Sequence, residues 1–336
     1  MAPHAPSDVQ WRVREADFSR IDAACDKLAF LLRYAILAPS SHNTQPWTFA
    51  VDRVDQVSVY ADASRWLRVA DADKRELFIS VGCALENLVV AAEHFGYTTQ
   101  VSYFPAPADE SLVATVRMRC NGDPASPRSP HLFDAIVARH TNHETFTARP
   151  IPGPQLEWLR ACCFEPDIRL FLTEDPDIRR RADELVVESD ARQFADPAYR
   201  EELAYWIGQG VFGTPWLMAQ IAKLAVAYIN LGSSVASKDS EVLMSAPMLA
   251  LLASRENDRA SQVRVGQAFE RIYLTATALG IAIRPMSQVL ELPEQKEKLA
   301  KLLRVADACP QQPFLLGYAN PAEHHTPRRP LEDVLR

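Results

Sequence analysis

Two long apolar stretches of this chain carry the same five residues at the same spacing. Gly82, Ala84, Glu86, Ala92 and Gly96 recur as Gly266, Ala268, Glu270, Ala276 and Gly280: in each, alanine stands two residues after the first glycine, glutamate four, alanine ten and glycine fourteen. Both stretches place apolar residues at helical spacing, over 75–95 and 261–279, and each follows a strand-like run. Each also ends at a glycine suited to the left-handed residue that closes a helix. The first, LFISVGCALENLVVAAEHF, is apolar round most of its circumference and should be largely buried. Duplication of a unit this size is a common route to a pseudo-symmetric fold. The chain therefore reads as an N-terminal arm (1–20), a first half (21–130) and a second half (131–336), with CNGDPASPRSP at 120–130 as the linker.

Around these helices the pattern is mixed. A helix over 22–37 must stop before Pro39. Strand-like runs follow at WTFAV (47–51), 57–60, 99–103 and 112–119. The second half opens with a helix near 131–139, then a strand at 168–172 and helices near 175–190 and 197–207. Buried strands are expected at 248–254 and 314–318. The length of 336 residues suits one large domain or two ordinary ones. With 48% apolar and 24% charged residues, extensive disorder is excluded. Only 11 glycines against 24 prolines argue against a propeller or a glycine-punctuated sandwich. A net charge of −7 disfavours nonspecific nucleic-acid binding. No membrane partner is expected, since no run of uncharged apolar residues is long enough for a span and the N-terminus lacks the apolar stretch of a secretory leader. Six scattered cysteines point to a reduced, cytoplasmic setting.

The densest chemistry lies in APSSHNTQPW, Ala38 to Trp47. Polar side chains packed between two prolines and an indole, on a helix-to-strand loop, suit ligand binding; a plain helix cap and turn would use the same residue types. Other patterns carry less. Gly208-Gln-Gly210-Val-Phe-Gly213 is formally GxGxxG but follows a charged helix rather than a strand, which argues against a dinucleotide fingerprint. His140 with His143, and His324 with His325, lack the spacing of a metal site, so no metal is expected. Cys162-Cys163 reads as packing.

PSSHNTQPW resembles the PSSxNxQPW loop of the FMN-dependent nitroreductase family. Arg139-His-Thr141-Asn-His143-Glu-Thr-Phe146 is similar to that family's second signature. The repeated GxAxE helix, ALGIAIRPMSQ, FLLGY and TPRRPLEDVL continue the likeness in order. It implies an α+β nitroreductase-like fold, here two tandem halves forming a pseudo-dimer of mixed sheets flanked by helices. Ordinary members are homodimers in which both chains bind each flavin. In this sequence the PSS loop occurs only in the first half, and the RxTxH string and basic tail only in the second. That arrangement is similar to the Acg-type FMN-binding subgroup, in which one chain mimics the dimer. It implies one FMN site at the junction and a lost mirror site.

The resemblance assigns FMN binding to Pro39, Ser40, Ser41, Asn43, Gln45, Arg139, Thr141, His143, Pro285, Ser287, Gln288, Arg328 and Arg329. Arginine forks suit a phosphate, which points to Arg139, Arg328 and Arg329. Thr141, Ser40 and Ser41 suit hydroxyls or the flavin edge. His143 stands where the family has Lys or Arg beside the pyrimidine end of the flavin, so the reducibility of the flavin is in question. Pro285, Ser287 and Gln288 fall on the loop whose backbone amides face flavin N5. Trp47 is read as core. No catalytic side chain is implied, because the flavin carries the chemistry. Residues 206–237, with Val211, Phe212, Trp216, Met218 and Tyr228, fall where the subgroup has a lid; a core helical hairpin is the alternative. The implied activity is electron transfer from reduced flavin to a small organic acceptor of nitroaromatic or quinone type, with NAD(P)H as the family's donor. A protein that stores or sequesters FMN, and a flavin-remodelling activity, are the rivals. A monomer suffices for the site, and a homodimer is not excluded.

Overall fold

The computed structural model describes residues 8–120, 131–213, 216–228, 232–305, 307–320 and 324–336, so most of the expected linker lies outside the described residues. The first sheet contains β1 (Trp47–Arg53), β2 (Gln56–Ala61), β3 (Tyr97–Tyr103) and β4 (Leu112–Cys120), in the order β1-β2-β4-β3. The second contains β5 (Ile168–Thr173), β6 (Met248–Ser254), β7 (Ala282–Pro285) and β8 (Cys309–Gly317), in the order β5-β6-β8-β7. The two orders are the same pattern. Every ladder between these strands is antiparallel. Each sheet gains its mixed character from one parallel bridge, Phe49 with Leu335 in the first and Thr141 with Ile283 in the second. Through the first of these, the C-terminus lies against β1 of the opposite half.

Helix α1 (Ala24–Ala35) precedes the first sheet and α2 (Arg75–His94) connects its two hairpins. The second half adds α3 (His131–Ala138), α4 (Gly153–Ala161), α5 (Pro176–Ala195), α6 (Pro197–Gly208), α7 (Trp216–Tyr228), α8 (Gly232–Ser245), α9 (Arg259–Ala278), α10 (Gln288–Glu291) and α11 (Pro293–Leu302). Helix starts follow local chemistry. Asp258 accepts from Ser261 N at 2.7 Å to cap α9, and Asp175 and Asp196 cap α5 and α6 just ahead of a proline. Gly96 (φ +82) and Gly280 (φ +69) follow the two long helices in left-handed geometry.

Sequence periodicity did not reveal α4, β7 or α11. β7 has four residues including an arginine and a proline, and only its pairing with β8 makes it a strand. α11 is mostly polar, and both helices bury few side chains, Leu159 in α4 and Gln295, Leu299 and Leu302 in α11.

At the centre α2 crosses α9. A Cβ on Gly82 would lie 2.1 Å from the Val263 carbonyl oxygen and 2.9 Å from Gly266 Cα; one on Gly266 would lie 2.1 Å from the Ile79 carbonyl oxygen and 2.9 Å from Gly82 Cα. The paired repeat glycines therefore put the two backbones in direct contact, related as by a two-fold axis. Around the crossing, Val81, Ala84, Leu85, Leu88, Ala268, Ile272 and Leu274 are buried in one continuous core with both sheets. α2 is long and apolar enough to cross a membrane, but it is buried inside this core.

Gly82→Ala should destabilise the protein by about 3 kcal/mol, because overpacking at backbone distance outweighs the roughly 1 kcal/mol that alanine gains in a helix. Urea unfolding would measure it, and a neutral or stabilising result would show that the helices do not touch at this point.

Candidate functional site

Loop 36–46 leaves α1 and turns sharply back into β1. His42, Asn43 and Gln45 all take left-handed backbone angles (φ 48, 51 and 52), costly for residues with a Cβ and frequent at functional sites. Internal bonds hold this shape. Gln45 N donates to Ser40 Oγ at 2.9 Å, and Ser41 N donates to Ser80 Oγ on α2 at 3.4 Å. Asn43 is the hub: its Nδ2 donates to Val211 O (2.6 Å) and Pro327 O (2.9 Å), while its Oδ1 accepts from Arg328 Nη1 (3.0 Å). Three segments far apart in sequence thus meet on one amide. Gln45 is fully buried and accepts from Arg329 N at 2.7 Å, which fixes the C-terminal tail. Pro39, Ser40 and Ser41 remain partly accessible, and Trp47 is fully buried in the core.

Beside the loop, two guanidiniums converge. Arg139, from the end of α3, and Arg328, from the tail, both donate through Nη2 to Leu37 O, at 3.1 and 3.2 Å. Each is only 2% exposed. The fully buried Glu270 lies 3.8 Å from Arg139 Nε. One carboxylate thus faces two cations. Among the described residues, Nε and Nη1 of Arg139, Nε of Arg328, Oε2 of Glu270 and Nδ1 of His325 have no hydrogen-bond partner. So many unmet buried polar atoms call for an explanation, such as a ligand. Trp11 of the N-terminal arm closes this end: it stacks on His325 at 3.9 Å, and His325 stacks on His140 at 3.7 Å. Burial, reinforced by His140, Arg139 and Arg328, pushes His325 down to about 4. Arg329 differs, since its guanidinium donates to the carbonyls of Gln45, Trp47 and Asp333 and meets Asp62 at 3.5 Å.

From Arg139 the chain runs extended toward a second polar group. Asn142 N donates to Ile283 O at 2.9 Å, and the buried Tyr273 hydroxyl, with one proton to donate, lies within reach of both His140 O (3.0 Å) and Ile283 O (3.2 Å). This lays Thr141 and His143 alongside β7, which leads into Pro285, Ser287 and Gln288. Arg284 Nη1 lies 3.3 Å from His143 Nδ1, and Arg284 also pairs with Asp239 of α8. Gln288 Nε2 donates to Asp239 Oδ2 at 3.2 Å. At roughly 3.3 Å per extended residue, Arg139 and His143 stand about 13 Å apart along the chain. The site is therefore elongated, with a cationic end and a mixed polar end.

The pseudo-symmetric position is built differently. Glu86, the repeat partner of Glu270, accepts from Arg271 Nη1 (3.0 Å) and Gln267 Nε2 (2.9 Å). Arg271 Nε donates to Cys162 O at 2.9 Å, and its Nη2 pairs with Glu165. Cys162 follows α4 as Leu37 follows α1, so an arginine of α9 itself fills the place that Arg139 takes on the other side. On the first side, with its amide turned to satisfy both neighbours, Asn87 donates to Glu270 Oε1 at 2.9 Å. A groove of about 870 Å³ opens beside the Arg271 plug, lined by Trp158, Phe164, Leu132 and Leu279. It lies away from loop 36–46, whose cationic end is packed with Trp11 and His325.

Comparison with known proteins extends the match beyond motifs. No protein-family model matches the chain. A Mycobacterium tuberculosis protein named for NAD(P)H nitroreductase activity is 29% identical over 318 residues, covering 91% of this chain and 90% of its own. The Acg protein of the same organism, named for the same activity, is 27% identical over 318 residues, covering 92% and 95%. The chain is thus similar, over about nine-tenths of its length, to proteins named for NAD(P)H nitroreductase activity. Among solved structures, the FMN-dependent nitroreductase NfnB from Mycobacterium smegmatis in complex with NADPH aligns at 17% identity and a TM-score of 0.42, covering 61% of this chain and 97% of that one. Reading of motifs did not find Trp11, Glu270, Arg284 or Asp239 as site residues. Glu270 had a signal, its place in the repeat. Trp11 and Asp239 had none, being joined to the site only by tertiary packing.

Burial lifts the Glu270 carboxyl to about 7, against the pull of Arg139, with Glu86 adding to the rise. The folded state therefore holds a proton that the unfolded chain releases near pH 4.5, so this contribution to stability is full at low pH and fades as pH rises to about 7. Thermal midpoints of the protein without added ligand should fall more steeply between pH 5 and 7 than those of Glu270→Gln. Parallel profiles would mean that Glu270 is ionised throughout.

Proposed function

We propose that this protein is an FMN-dependent oxidoreductase with one flavin site, built where the two halves meet. The observation that carries the reading is the surplus of buried, unpartnered guanidinium donors at Arg139 and Arg328. A dianionic phosphate monoester would satisfy them with charge-assisted bonds. The phosphate belongs at this end. Ser40, Ser41 and Thr141 would hold the ribityl chain or ring edge, and His143, Pro285, Ser287 and Gln288 would flank the ring. Pro39, Asn43, Gln45 and Arg329 shape and anchor the loop and tail around it.

A bound flavin supplies hydride or electron transfer to a small organic acceptor, nitroaromatic or quinone in type. This chain's residues bind, orient and shield. Asn43 ties the loop to Val211, at the start of the segment 206–237 that we read as a lid, so closure of that segment and seating of the tail share one hub. The divisions 1–20, 21–130 and 131–336 and a cytoplasmic setting belong to the same reading, with the six cysteines free. NAD(P)H is the proposed donor, after the names of the relatives. Storage of FMN without efficient turnover is the second reading. It is favoured by His143, which burial and the neighbouring Arg284 and Lys238 keep below its ordinary value and hence neutral.

Arg139→Gln should weaken FMN binding by about ten- to a hundredfold, the equivalent of roughly 1.5–3 kcal/mol for a charge-assisted bond. Riboflavin, which lacks the phosphate, should bind the variant and the parent alike. Fluorescence titration with both ligands decides; equal losses for the two would place the phosphate elsewhere. Anaerobic NAD(P)H should bleach the FMN-loaded protein at the flavin band, and persistent colour would favour storage.

A further inference from the structure

The polar end of the site contains a charge arrangement that the motifs do not announce. Arg284 sits between two partners, His143 Nδ1 at 3.3 Å and the Asp239 carboxylate. An arginine N–H can only donate, so at this contact Nδ1 must be the acceptor. The imidazole proton then resides on Nε2. The ring keeps a solvent-exposed side, but the protein crowding it and the charges of Arg284 and Lys238 oppose protonation, while Asp239 and Glu144 favour it. Arg284 is only 14% exposed and Asp239 17%, so their ion pair is poorly screened. Gln288 holds the second Asp239 oxygen at 3.2 Å, and Asp190 on α5 also lies close to the pair.

We infer that Arg284 is the positioning and tuning residue of this site: it holds His143 as a neutral Nε2–H donor and itself supplies the positive charge, which Asp239 partly cancels. This rests on the flavin reading above for what the charge acts upon. Reduction of a bound flavin adds negative charge to its ring, and a nearby cation stabilises that form while a nearby carboxylate opposes it. The three side chains come from the second-half signature, β7 and α8. The potential would therefore be set by the pair Arg284–Asp239 rather than by a single residue in the signature.

The test combines a potential with a spectroscopic readout. In FMN-loaded protein, Asp239→Asn should shift the flavin midpoint potential upward and Arg284→Met downward. Arg284→Lys, which keeps the charge, should restore most of the Arg284→Met loss, and His143→Gln should stay close to the parent. In flavin-free protein at pH 7, ¹⁵N NMR should find His143 as the Nε2–H tautomer, and Arg284→Met should lose that preference. Unchanged potentials in both Asp239→Asn and Arg284→Met, in proteins that still bind FMN, would overturn the inference. So would a fall in His143→Gln as large as that in Arg284→Met, which would make the histidine the cation. Failure of the parent to bind FMN would instead defeat the flavin reading, and the NMR tautomer would still decide whether Arg284 holds His143 neutral.

Discussion

Everything else in this fold is arranged around two glycines that let two helices touch backbone to backbone. With Gly82 and Gly266 facing each other at a separation no Cβ could fill, α2 and α9 cross at one fixed point. Each helix then carries its repeat glutamate one turn further on, Glu86 and Glu270, into the opposite helix's territory. Both carboxylates are completely buried. A buried charge demands partners, and the way each half meets that demand decides what it can bind.

On one side the demand is met from within. Arg271, one residue beyond Glu270 on α9, pairs with Glu86 and with Glu165 and bonds the Cys162 carbonyl. One cation there faces two carboxylates, so no positive charge is left over for an anion, although a groove opens beside it. On the other side the equivalent helix position is Asn87, which is neutral, and cations arrive from outside the helices as Arg139 and Arg328. Two guanidiniums then face one carboxylate. This excess of positive charge is what we propose makes one junction a place for an anion, while the other holds more carboxylates than cations. The asymmetry of charge thus comes from a handful of residue differences in a near-symmetric frame.

The frame itself was readable in the residues. Five repeat positions, the strand alternation and the proline that ends α1 foretell two similar halves, and the matching strand orders agree. The loop at Ala38–Trp47 and the signature at Arg139 could be picked out because their residue types are unusual together. What periodicity could not convey is where polar atoms go unmatched. That Arg329 is satisfied by carbonyls and Asp62, while its neighbour Arg328 keeps an unpartnered Nε, depends on a tail that returns across the whole chain to Gln45 and Asn43. Nor does the sequence indicate that Trp11 would cover the cationic end, or that α8 would deliver Asp239 to Arg284. These are long-range packing outcomes, and short elements such as β7 exist only because of them.

The most direct test of the proposal, one anion-accepting junction opposite one with no cation to spare, is the number of flavins the chain holds. Protein saturated with FMN, freed of excess by gel filtration and analysed by absorbance against chain concentration, should carry one equivalent. Two equivalents would mean that the Glu86–Arg271–Glu165 side accepts the flavin as well, and none would mean that the surplus at Arg139 and Arg328 serves something other than this phosphate.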